Sequence, residues 1–160
     1  MRFVASVNGL QSQVRLVQVT REPDSVDAPT TEINFEYDIP DGPSNVSPAI
    51  AFGLTSSDTA GALSPNVSGW LVRWRIVHAG DTLAVTDTTK VALWSASGSR
   101  HSLTDTTRTD GTSTRRLRIY ANLLPVQPDS FIVIAEVKSR GAHVPGSPVR
   151  YVVNISPPAP

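Results

Sequence analysis

The chain has 160 residues, no cysteine, and 14 basic against 14 acidic side chains, for a formal net charge of zero. Without Cys it has neither a disulfide framework nor a thiolate metal site, and a pI near 6.8 provides no long-range field to recruit nucleic acid or an anionic membrane. Charged residues make up 18%, below the roughly 25% of ordinary globular domains, so the polar surface must be built largely from Ser, Thr and Asn.

Helix signals are nearly missing. No window holds apolar residues at i, i+3, i+4 and i+7 behind a capping residue, whereas period-two alternation recurs between turn residues, and the chain predicts an all-β fold. In chain order the candidate strands are 2–7, 13–20, 31–38, 49–54, 70–78, 82–86, 90–95, 102–107, 113–121, 131–138 and 148–155. The run 49–54 is too short to decide between a strand and a tucked loop. It lies in a Ser-, Ala-, Gly- and Pro-rich stretch, 41–69, whose only charged residues are Asp41 and Asp58, and an insertion or arm is expected there. The division that follows is 1–64 for N-terminal strands and arm, 65–156 for the sandwich core, and 157–160 for a Pro-rich tail.

Alternation assigns faces in the stronger strands. Val72, Trp74 and Ile76 oppose Arg73, Arg75 and Val77; Leu117, Ile119 and Ala121 oppose Arg116, Arg118 and Tyr120. Likewise Phe131, Val133, Ala135 and Val137 oppose Ile132, Ile134, Glu136 and Lys138. The first set of each pair is the expected core.

Three motifs stand in the second half: Asp110-Gly111-Thr112 before a strand, Asp129-Ser130-Phe131 before the next, and His143 to Pro148 (His-Val-Pro-Gly-Ser-Pro) before the last. Together they resemble the filamin-type immunoglobulin repeat. Ala79-Gly80-Asp81, Val91 to Trp94 and Thr109-Asp110-Gly111 are similar to bacterial immunoglobulin-like domains of the invasin and intimin kind. The resemblance spans roughly residues 70–155 and implies an immunoglobulin-like antiparallel β-sandwich, here with additional N-terminal strands. It implies no activity, because these motifs are turn sequences with ordinary backbone causes.

Reactive constellations are sparse. No Gly-x-Ser-x-Gly elbow occurs, and Glu32 and Glu36 on one strand face read as a solvated face rather than a glycosidase pair. The three His residues, His78, His101 and His143, are far apart in sequence; Asp105 and Asp110 near His101 read as turn formers. No enzyme activity, metal or cofactor is expected.

Two binding surfaces are proposed by residue type. Arg73, Arg75, Arg116 and Arg118 would form a guanidinium stripe, extended by the Tyr120 ring, if their strands share a sheet; such a stripe suits carboxylate or phosphate capture. Trp70 at a strand start and Trp94 before a Ser-Ala-Ser-Gly corner would offer a sugar-stacking platform. Asn45, Asn66 and Asn154 stand in Asn-x-Ser sequons, relevant only to a glycosylated protein.

The expected function is a non-catalytic structural or interaction module of a larger assembly, such as an adhesin stalk, a virion or tail component or a secretion-associated particle. Self-association through the N-terminal segment or binding of neighbouring protein domains is expected. The alternatives are a carbohydrate-binding sandwich and a jelly-roll coat protein. Nucleic acid is not an expected partner, and no run approaches the ~18 apolar residues of a membrane span. Ser6, Asn8 and Gln11 interrupt any signal-like apolar stretch at the start; an extracellular, cell-surface or virion setting is favoured by composition.

Overall fold

The computed structural model describes residues 21–37, 45–57, 67–83, 91–95, 103–120 and 127–157, together with the backbone of 2–3, 6–7, 10–11, 15–16 and 63–64. Its described residues contain strands and no helix. The strands are β1 (Arg2–Phe3), β2 (Ser6–Val7), β3 (Leu10–Gln11), β4 (Arg15–Leu16), β5 (Ser25–Asp27), β6 (Glu32–Glu36), β7 (Ile50–Ser57), β8 (Leu63–Ser64), β9 (Leu71–His78), β10 (Asp81–Leu83), β11 (Val91–Trp94), β12 (Thr104–Thr106), β13 (Thr112–Ile119), β14 (Asp129–Ser139), β15 (Ala142–His143) and β16 (Val149–Ser156).

Two sheets form the sandwich. One is seven-stranded, with the path β10-β9-β14-β16-β6 and with β12 and β15 paired to β9 and β14; the other is five-stranded, with the path β11-β13-β7-β5 and β8 paired to β7. All ladders are antiparallel except β16 with β6, which run parallel. Neighbouring strands β5 and β6 belong to different sheets, so the chain crosses the sandwich within 28–31. Pro29 lies in this crossing, where a residue lacking an N–H interrupts a ladder at least cost. The described N-terminal strands pair only among themselves, β1 with β4 and β2 with β3.

The core is built by alternation from both sheets. Ile50, Phe52, Leu54, Leu93, Leu117 and Ile119 face Val72, Trp74, Ile76, Phe131, Val133, Tyr151 and Val153, all at most 2% exposed. Trp74 lies at its centre, with ring centroids 5.7 Å from Phe52 and 6.4 Å from Tyr151. The Tyr151 hydroxyl donates to Ala51 O at 3.0 Å, tying one sheet to the other, and burial pushes its pKa upward.

The candidate strand 49–54 forms as β7, an interior strand of the five-stranded sheet, and residues 45–47 continue its course along β13 through Ser47 N to Leu117 O (2.8 Å) and Ile119 N to Asn45 O (3.0 Å). Pro48 accounts for the break between these two pieces. β6 and β7 are zipped to β16 and β13, which joins residues before 64 to strands after it in both sheets. The short β5, β8 and β15 were not expected. The apolar content of β5 is one Val between Pro23 and Pro29, too little to show alternation.

Candidate functional site

The outer face of the seven-stranded sheet is set by register. One row across the strands reads Val77, Ile132, Val152 and Glu32; the next reads Arg75, Ile134 and Arg150. A third places Arg73 beside Glu136 and Thr104, and Lys138 pairs with His143 beyond it. Long cationic side chains therefore flank an apolar strip. Leu71 and Val152 are 49% and 38% exposed, while Ile134, between Arg75 and Arg150, is only 3% exposed, as expected where aliphatic stems of neighbouring arginines lie over it.

Electrostatics on this face are unbalanced. Glu136 accepts from His143 Nε2 at 2.7 Å and from Lys138 Nζ at 3.1 Å; the His143 bond, followed by the Lys138 bond, holds its carboxyl below the usual range. Among the described residues no carboxylate lies at ion-pair distance from Arg73, Arg75 or Arg150. A hollow of about 220 Å³ opens beside β9, lined by Arg73, Trp74, Arg75, Leu103, Thr104 and Glu136.

Arg73 and Arg75 are thus exposed on one face, as expected, but the four-arginine stripe does not exist. Strands β9 and β13 lie in different sheets, which puts Arg116 and Arg118 on the opposite side of the molecule. Arg118 is 8% exposed rather than solvated, with its guanidinium carbon 5.3 Å from the Trp94 ring centroid and 5.5 Å from that of Tyr120. That stacking occupies the Tyr120 ring, so the expected stacking surface is taken up internally. Trp70 and Trp94 are half-buried and come from different sheets; Trp70 Nε1 donates to Lys138 O at 3.0 Å, and Trp94 Nε1 is enclosed without an acceptor.

Residue-type reasoning missed two arginines. Arg150 belongs to the exposed face and was legible in the alternation Val149 to Ile155. Arg115 stands on the core-facing parity of β13, 2% exposed, with Nη2 2.6 Å from Asp105 Oδ2 at ion-pair distance but without hydrogen-bond alignment. Its guanidinium carbon is 5.9 Å from the Trp74 ring centroid. Asp105 is thereby committed to a cation, and Asp110 to the turn, accepting Thr112 N at 2.9 Å and Thr112 Oγ1 at 2.7 Å. His78 pairs with Asp129 at 2.8 Å and stacks on Phe131; His101 lies outside the described residues. Among the described residues no group of three or more His, Asp or Glu is gathered as a metal shell. Of the sequons, Asn45 is fully buried and Asn154 donates to Glu32 and Asn34; Asn66 is outside the described residues.

No family model and no curated protein matches the chain. Solved structures do. The periplasmic chaperone SfaE is similar at 13% identity with a TM-score of 0.52, over 84% of this chain and 58% of the chaperone, so the chain spans little more than half of its length. A protein from Bacteroides ovatus ATCC 8483 provisionally described as carbohydrate binding is similar at 14% identity and TM-score 0.46, over 84% of this chain and 37% of that one. The ASH/PapD-like domain of human CEP192 is similar at 12% identity and TM-score 0.40, over 93% and 97%. At such identities the likeness to SfaE establishes the fold, an immunoglobulin-like β-sandwich, and nothing about partners.

Proposed function

We propose that this chain is a non-catalytic interaction module of a larger assembly, and that it meets its partner with the outer face of the seven-stranded sheet. The observation that carries this is the combination on one face of two exposed large apolar side chains, Leu71 and Val152, with three guanidiniums, Arg73, Arg75 and Arg150, that no described carboxylate neutralises. Arginines standing between exposed apolar side chains are common at protein interfaces, where Arg is enriched. A Cys-free, Ser- and Thr-rich surface supports an extracellular or particle-surface setting. A sugar platform is less well supported, because the indole nitrogen of Trp70 is bonded to Lys138 O and that of Trp94 is enclosed.

Site-specific photo-cross-linking in the native source tests the proposal. A photoreactive residue replacing Leu71 or Val152 is expected to yield discrete cross-linked species, whereas one replacing exposed Arg116 on the opposite sheet is not. Equal yields at all three positions, or none at Leu71 and Val152, would remove this face as the contact.

A further inference from the structure

Resting on that proposal, we infer that the partner presents an acidic, partly apolar extended segment, seated along β9 and across to β16. Outer-face rows of β9, β14 and β16 carry Arg73, Arg75, Arg150 and Lys138 against Glu136 alone, although the whole chain has zero net charge. Glu136 is engaged by Lys138 and His143, which leaves the three guanidiniums as a positive cluster unmatched among the described residues.

The spacing of the cluster fits an extended chain. Arg73 and Arg75 are same-face neighbours on one strand, roughly 7 Å apart, which is also the roughly 7 Å repeat of same-side residues in any extended segment. Carboxylates at i and i+2 of a segment running along β9 can therefore meet both arginines at once, each by the bidentate geometry that guanidinium favours. Arg150 stands two strand spacings from Arg75, roughly 10 Å, with Ile134 between them in register. The exposed Leu71 and Val152 give apolar side chains of the segment a place to bury.

These features favour a protein segment over a nucleic acid. A phosphate backbone gains nothing from burying the exposed apolar Leu71 or Val152.

Fluorescence anisotropy on the full chain tests the inference. The probe is a short labelled peptide of Glu, Leu and Ser with Glu at i and i+2; comparison probes carry Lys or Ser in place of Glu, and a labelled oligothymidylate represents nucleic acid. Binding of the Glu peptide is expected to weaken about tenfold or more with Arg75→Glu and Arg150→Glu together, and to weaken as salt shortens the screening length below roughly 8 Å. Arg116→Glu is expected to leave it unchanged. Both reversed positions are exposed, and an unaltered melting temperature verifies that the double variant is folded. Indifference to the double reversal, equal or tighter binding of the Lys peptide or the oligothymidylate, or no binding of the Glu peptide at millimolar concentration overturns the inference. Equal binding of the Ser peptide, abolished by Leu71→Ser with Val152→Ser, overturns the acid preference while the face remains a docking surface. Failure of cross-linking at that face would overturn the broader proposal separately.

Discussion

Trp74 helps join the two sheets, packing against Phe52 across the sandwich and Tyr151 within its own sheet. Its truncation leaves a cavity that β-strands, held by ladders on both sides, cannot collapse. Trp74→Ala is expected to cost about 3–5 kcal/mol in urea unfolding; parent-like stability would contradict this packing. Arg115 presents the opposite case, a charge on the core side whose counter-ion is the 30% exposed Asp105 carboxylate. Asp105→Ala strands that charge and is expected to cost about 2–3 kcal/mol, less than the ~3–5 of a fully buried pair because Asp105 meets solvent. Adding Arg115→Met should recover most of the loss in a double-mutant cycle, since an apolar side chain of similar length suits the Trp74 environment. The exposed carboxyls Asp129 and Glu136 are both held low in the folded chain, first by their bonds to His78 and His143. A folded pKa below the unfolded one gives stability that is present above the ordinary carboxylate range near ~4 and lost as pH falls through the lower folded values. His78→Phe is expected to raise the Asp129 midpoint, read by carboxyl NMR; an unmoved midpoint would reject the His78 bond as the cause.

At the scale of elements, β5 depends on the turn before β16. Val26 N donates to Pro145 O at 2.9 Å, and Gly146 has φ 85 with Val26 O only 2.7 Å from where a Cβ would stand. Gly146→Ala must therefore both strain the backbone and push β5 off the five-stranded sheet. Its cost is expected to be about 1–3 kcal/mol, accompanied by faster hydrogen exchange at Val26. Gly141 has the same φ of 85 but open space around it, so Gly141→Ala should bear only the backbone term, about 1 kcal/mol. If the two substitutions cost the same, close approach to Val26 is not what demands Gly146. The outer face of β9 and β14 illustrates a different element-level effect: parity brings Arg73, Arg75, Ile132, Ile134 and Glu136 to one side, but pairing with β16 is what adds Arg150 and Val152.

For the whole molecule, the described part of 25–57 is structural. It supplies β5, β6 and β7, and with them the buried Ile33, Ile50, Phe52 and Leu54. Removing residues 1–64 would open the five-stranded sheet at β13 and uncover β16 on the other sheet. The truncated chain is expected to show no cooperative thermal transition by circular dichroism; a sharp transition would mean that 65–160 folds alone. The five-stranded sheet needs β7 because β13 and β5 have no ladder with one another and are joined only through it.

Local alternation by itself determined the all-β class, the course of β9, β13, β14 and β16, and the core parity that buries Trp74, Leu117 and Val133. Period two is a property of each strand alone, so it survives without knowledge of neighbours. The turn motifs at Ala79-Gly80 and Asp110-Gly111 were legible for the same reason, since positive φ at Gly80 and Gly111 is a local demand. Only the tertiary structure decided which strands share a sheet, and that choice dissolved the four-arginine stripe by placing β9 and β13 apart. It also turned Arg118 from a solvated residue into one stacked on Trp94 and Tyr120, and took Arg115 inside beside Asp105. Sheet membership is fixed by ladders between residues distant in sequence, and shielding by whatever packs over a face; neither leaves a mark in the alternation of a single strand.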